Sequence, residues 1–407
     1  MLRRAGVHAS RLGDKTGEGQ IQCCLGAILR QLGQYPEAEA CLRSSLEFHR
    51  QQHESEEAGW ALYELAMLFR EEGNFQQAGT YAQEALALFR EVGDVKGEAW
   101  MQMVMGEVSR GYASYYDALG HFELALTSFR NLHNNEGCAW TLRDRGTVYE
   151  ALGQYSKALS DYEEALRLFN EAGLRVGQAW VLADKADVYT GQGKLDAAAK
   201  LCSEAVSIFH EQGIRRGEAW ALRALGDVAR ERHDLARARQ NYEDALAMFS
   251  ALGDRVDQAR VLNALGAVAF AEEEYLTAKE LYEQAQTIAR EQGAAQLDGR
   301  ASRGLGDVAR VLQRLAEAER YYRDAAAIAT QLDTPAELCA VLRRQGLLYQ
   351  VQKKYAEALD CWVQALALDQ RLGHPARVNL QEKVAALVAE QHLEDVYAQF
   401  CERHGVA

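Results

Sequence analysis

Residues Gly213 to Leu252 read GIRRGEAWALRALGDVARERHDLARARQNYEDALAMFSAL, and this stretch is one copy of a unit that recurs every 40 residues. The positions equivalent to Gly213 are Gly13, His53, Gly93, His133, Gly173, Gly253, Gly293, Asp333 and Gly373, with no insertion or deletion between them. A fixed period of this size marks a repeat array that grows by stacking, so the usual expectation of separate globular bodies for 407 residues does not apply. Each unit carries two helical patterns. Ala221, Leu222, Leu225, Gly226, Val228 and Ala229 share one arc of the first; Leu235, Ala238, Tyr242, Ala245, Leu246 and Phe249 share one arc of the second. Gly-Asp junctions such as Gly93-Asp94 and Gly253-Asp254 suit a left-handed helix end followed by an N-cap.

Composition narrows the class. Three prolines in a 48% hydrophobic chain suit an all-α protein. A net charge of −14 argues against nucleic acid and anionic membrane as partners. No window reaches the ~18 apolar residues of a membrane span. The eight cysteines form no CxxC and no zinc-ligand spacing; they read as small core residues in a reducing, cytoplasmic setting. Phosphate loops, dinucleotide fingerprints, HExxH and GxSxG are absent, and most of the ten histidines have no partner at ligand spacing; His49 and His53 are four apart but across a junction between units, so neither an enzyme nor a cofactor or metal is expected.

Three columns require a stack. Alanine recurs at 38, 78, 118, 158, 198, 238, 278, 318, 358 and 398, and again from 85 to 365 in steps of forty; an aliphatic column runs from Ile28 through Val228 to Val388. Small residues let helix backbones approach, and a lone helical hairpin could not bury these faces. The small column at Gly26, Ala66, Gly106, Gly146, Ala186, Gly226, Gly266, Gly306 and Gly346, with the Tyr/Phe/Leu column from Tyr35 to Tyr355, resembles the tetratricopeptide repeat over essentially the whole chain. The unit departs from the usual one in being longer and lacking its closing proline. Its GD..GEAW..LG wording is similar to Pins-type polarity adaptors, and to bacterial signalling proteins in which such repeats follow a nucleotide-binding or effector domain. The resemblance implies a right-handed superhelical solenoid of antiparallel helix pairs, whose first helices line a concave groove that binds peptides or other proteins.

The expected organisation is a partial repeat or cap at 1–12, nine units at 13–372 and a degenerate capping repeat at 373–407. Residues 1–12 match the close of a second helix whose first helix is missing, which favours a piece of a longer chain over a simple cap.

The candidate site is the face of the first helix turned roughly 140–160° from the apolar arc. It carries Trp60, Trp100, Trp140, Trp180 and Trp220 in consecutive units, then Arg260 and Arg300. Two readings stand: aromatic anchors on a groove wall, or rings packed on the adjacent unit's first helix. The same face holds Arg223-Asp227-Arg230 and Arg303-Asp307-Arg310, with Arg143, Arg343, Glu107 and Asp187 at equivalent positions. A spacing of four places Arg223 on Asp227 and Arg303 on Asp307, either as solvated ion pairs or as a charged lining for a ligand. The expected function is a non-enzymatic scaffold for a protein or peptide with an apolar stretch followed by acidic residues. The alternative is a ligand-sensing or autoinhibitory arm of a larger regulator such as a STAND-type ATPase, protease or transcription factor.

Overall fold

Among the described residues, a residue just past the end of each second helix lies in the left-handed region, and it sets the forty-residue rhythm. Gly213 takes φ 69°, and the same place is held by His133 at φ 52°, where a side chain tolerates what glycine does freely. The next residue caps the incoming helix: the N–H groups of Lys96 and Gly97 donate to the Asp94 carboxylate at 3.0 Å, and Asp257 N–H donates to Asp254 at 3.1 Å.

The computed structural model describes residues 15–31, 33–112, 114–372 and 377–406. The proposed segment at 1–12 lies outside them. First helices are α1 (Lys15–Gln31), α3 (Ser55–Glu71), α5 (Val95–Gly111), α7 (Asn135–Ala151), α9 (Arg175–Gly191), α11 (Arg215–Glu231), α13 (Arg255–Ala271), α15 (Ala295–Val311), α17 (Pro335–Val351) and α19 (Arg377–Gln391). Second helices are α2 (Tyr35–Gln52), α4 (Phe75–Val92), α6 (Tyr115–Asn131), α8 (Tyr155–Ala172), α10 (Leu195–Gln212), α12 (Leu235–Ala251), α14 (Tyr275–Glu291), α16 (Leu315–Gln331), α18 (Tyr355–Leu372) and α20 (Glu394–His404). The fold is all-α, and consecutive helices pack as pairs into a solenoid.

Curvature follows from who touches whom. From α1 to α17 each first helix touches the next first helix, whereas second helices of neighbouring units stay apart from α2 to α18. The first helices therefore form the inner wall. At the C-terminal end α20 packs back on α18, with His404 Nε2 2.9 Å from Asp360 Oδ1.

The core is built by size matching. Where the first helix carries glycine at 106, 146, 226, 266 or 306, a ring of its own second helix fills the space; a Cβ on Gly106 would lie 2.6 Å from Phe122, and one on Gly226 2.5 Å from Tyr242. Where that position is Ala66 or Ala186, the residue sixteen further on shrinks to Ala82 or Cys202. The alanine column is buried from Ala38 to Ala358, but Ala398 is exposed because α20 turns other residues toward α18 and no further described helix covers the Ala398 side. Cys138, Cys202, Cys339 and Cys361 are buried, as a core reading requires; Cys24 is exposed and corrects that reading, and Cys23, Cys41 and Cys401 are intermediate.

Candidate functional site

The tryptophans are not turned away from the core. Trp60, Trp100, Trp140 and Trp180 are half-buried, each edge-on to a phenylalanine of its own second helix, Phe89, Phe129, Phe169 and Phe209, with ring centroids 4.9–5.1 Å apart. The other side of each phenylalanine rests on a glycine of the following first helix, Gly97, Gly137, Gly177 or Gly217, where a Cβ would come within 2.4–2.5 Å of the ring. Trp–Phe–Gly sandwiches thus join unit to unit. The helical-wheel expectation erred because a first helix inside a solenoid meets its own second helix and two neighbouring first helices, so its apolar arc is wider than one contact implies. Packing between first helices is also present, at Trp180–Trp220 with 6.5 Å between centroids.

The pattern changes at the sixth unit. Asp257 replaces the glycine, and Trp220 Nε1 donates to its Oδ2 at 2.8 Å. Arg223 and Arg260 lie over the Trp220 ring at 4.7 and 5.2 Å. Arg260 Nε also donates to Asp257 at 3.2 Å. Sequence reasoning saw the column turn basic at Arg260 but missed Asp257, although the exchange of glycine for aspartate in that same unit was visible.

The charged residues are neither solvated nor mainly intrahelical. Arg223 bonds Asp227 within its helix and also reaches Asp187 of the preceding unit at 3.1 Å. The expected Arg303–Asp307 pair is not formed. Arg303 donates to Glu337 at 2.8 Å, sharing it with Arg300 at 2.5 Å, while Asp307 accepts from Tyr322 at 2.7 Å and Arg344 at 3.0 Å. Arg310 stands 3.9 Å from Asp307. Arg143 donates to Asp184 of the next unit at 2.6 Å and lies over Trp180, and Arg70 bonds Glu107. Ion pairs between units run along the inner wall because carboxylate and guanidinium columns on touching first helices come within reach of one another.

This wall shifts acid strengths in both directions. Burial, reinforced by the Glu107 charge, pushes Asp144 up to about 7; burial and Asp227 raise Asp187 to about 6. Burial and neighbouring Asp187 raise Glu150 well above the usual range. Burial also acts on Glu337, but Arg300 and Arg303 outweigh it and hold the carboxyl low. Arg260 is weakened by burial and by the positive charges of Arg223 and Arg300, with Asp257 only partly offsetting them. Because the folded chain holds a proton on Asp144 that the unfolded chain has released above pH ~4, that group favours folding at low pH. Its contribution is lost as pH rises through about 7. Asp144→Asn should therefore stabilise the chain by roughly 1–3 kcal/mol at pH 8 and have little effect at pH ~4. Urea melts at the two pH values check this, and a variant less stable at pH 8 would contradict it.

Among the described residues no three His, Cys, Asp or Glu side chains converge as metal ligands, and no helix is long and apolar enough to cross a membrane.

The tetratricopeptide repeat family profile matches residues 18–91, 98–171, 177–251 and 257–331, well over half of the chain. The chain belongs to the tetratricopeptide-repeat family. Among curated proteins none matches it by sequence. A Rap protein complexed with competence and sporulation factor aligns over 84% of this chain and 99% of its own, with TM-score 0.56 and 16% identity. The Rap conjugation gene regulator of plasmid pLS20, in complex with the Phr* peptide, aligns over 88% and 97%, with TM-score 0.56 and 12% identity. A STAND protein with a tetratricopeptide repeat sensor, from Pyrococcus horikoshii, aligns over 81% of this chain but 55% of its own, with TM-score 0.50 and 14% identity. At these identities the likeness is one of fold.

Proposed function

We propose that this tetratricopeptide-repeat array is a non-enzymatic scaffold that binds a peptide or extended protein segment along its inner wall. The observation that carries the reading is the continuous row of half-buried indoles from Trp60 to Trp220, which passes into Arg260 and Arg300 on successive first helices. Indoles with one edge fixed by packing and another open are pre-organised for contact and lose little freedom on binding. The guanidiniums of Arg260 and Arg300 each make one bond, through Nε, and keep donors for a ligand carboxylate. Arg223, Asp227, Arg303 and Asp307 are already engaged with protein groups and serve by holding neighbouring walls together around the ligand. A solved structure of the same fold, the pLS20 Rap regulator above, is in complex with a peptide, which supports this class of ligand. The preferred segment is apolar where it meets the indoles and acidic where it meets Arg260 and Arg300. The reading as an arm of a larger regulator draws only on the fold shared with the P. horikoshii sensor.

Selection from a random displayed-peptide library tests the reading. Enriched peptides should be apolar then acidic. Their affinity should fall at least tenfold in Arg260→Gln/Arg300→Gln, about 1.4 kcal/mol, and in Trp100→Leu/Trp140→Leu/Trp180→Leu confirmed to be folded by circular dichroism. Peptides of no common character, or binding indifferent to both variants, would sink it.

A further inference from the structure

The inner wall is not an open trough, because the coil returns onto itself. The turn at Gly33, in the first unit, meets the end of the sixth: a Cβ there would stand 3.1 Å from the Leu252 carbonyl oxygen. The turn at Gly73 meets Val256 of the seventh unit, where a Cβ would stand 2.8 Å from its methyl. Arg216 lies between them. Its guanidinium is 3.0 Å from Asp254, 3.5 Å from Asp257 and 3.7 Å from Glu71 of the second unit. Tyr35 and Asp254 are only 8% and 3% exposed at this seam. Tyr115, on the third unit, is likewise buried within electrostatic reach of Arg300 and Glu337.

Charges on either side of the seam act on one another. Arg70 feels the charges of Glu107, Asp144 and Arg216, which sit on the third, fourth and sixth units. Arg300 feels Arg223 and Tyr115. Because the seam joins the first, second and third units to the sixth, seventh and eighth, the inner wall is reached from the ends of the coil and not through its side.

We infer that edge-to-edge closure at the seam turns the inner wall into a narrow channel latched by Arg216, and that its partner is a linear, unstructured chain rather than a loop on a folded domain. This rests on the inner wall being the binding surface. Two groups of contacts hold the seam: an ionic one, where Arg216 bridges Glu71 to Asp254 and Asp257, and a steric one, where glycine turns admit Leu252 and Val256. Neither is a continuous hydrophobic interface, so the latch can open without unfolding any helix pair. A chain with a free end enters along the axis, and a longer chain enters when the seam parts.

The test needs no recognition by the site, so it stands whether or not the peptide reading does. Thr147, half-buried on α7 in the stripe with Trp140, Arg143 and Glu150, is changed to Cys in a chain whose Cys23, Cys24, Cys41 and Cys401 are Ser. Labelling rates are measured with N-ethylmaleimide, with maleimide at the tip of a linear polyethylene glycol, and with maleimide on the surface of folded ubiquitin. The linear reagent should label at a rate near that of N-ethylmaleimide, and the ubiquitin reagent at least tenfold more slowly. Arg216→Glu, which sets a carboxylate against Glu71, Asp254 and Asp257, should remove most of that tenfold difference. Val256→Trp, a wedge against Gly73, should do the same without touching the ion pairs, and circular dichroism reports whether both remain helical. Equal labelling by linear and folded reagents in the parent chain would overturn the inference, as would unchanged discrimination in both helical variants.

Discussion

Phe169→Ala should destabilise the array by about 3–5 kcal/mol, the usual cost of emptying a fully buried aromatic site. Phe169 is fully buried, edge-on to Trp140 at 4.9 Å and against Gly177, so its loss opens the contact within the fourth unit and the contact between the fourth and fifth. In a solenoid, stability is approximately a sum of unit terms and nearest-neighbour terms. Weakening one junction should therefore uncouple the two sides, and urea unfolding followed by far-ultraviolet circular dichroism should show two transitions where the parent shows fewer. Amide exchange should quicken in α7 to α9 first. A single transition with a cost under ~1 kcal/mol would show that the sandwich does not join the units.

The second large effect is a coupling. Gly106→Ala alone should cost about 1–3 kcal/mol, because the new methyl lies 2.6 Å from the Phe122 ring and one of them must move. In the Phe122→Ala background the same change should be neutral or slightly stabilising, since the ring is gone and alanine is the better helix former by roughly 1 kcal/mol. The unit before already uses this combination, with Ala66 and Ala82. A double-mutant cycle by urea titration should return a coupling of about 2 kcal/mol, within the usual range for residues in contact. Additive effects would mean that the glycine serves another purpose.

Much of the fold was legible because the evidence for it is repeated. Ten copies of the aliphatic column in strict register identify the helix pair, its turn and its stacking, and the left-handed junction residues fall where Gly213 and its equivalents predict. The surroundings of the candidate site were less legible. A helical wheel drawn for one helix set Trp140 opposite the core, yet the ring is held by Phe169 from a helix that the wheel does not contain. Spacing of four suggested Arg303–Asp307, but a first helix has charged neighbours on both sides, and Arg303 found Glu337 while Asp307 found Arg344 and Tyr322. The seam was beyond local reading altogether. It depends on small rotations accumulated from the first unit to the sixth, which no single unit records.

The replacement of glycine by Asp257 also bears on how such an array can be rearranged. A crossover that set residues 253–292 behind residues 133–172 would keep every helix and every turn, yet Asp257 would face Glu136, the counterpart of Arg216, and press on Phe169 where Gly177 now yields. Near-copies in wording are therefore not spare parts. Each unit has an address fixed by its neighbour, and lengthening this chain by duplication is compatible with the sandwiches of the second to fifth units but not with the junction between Trp220 and Asp257.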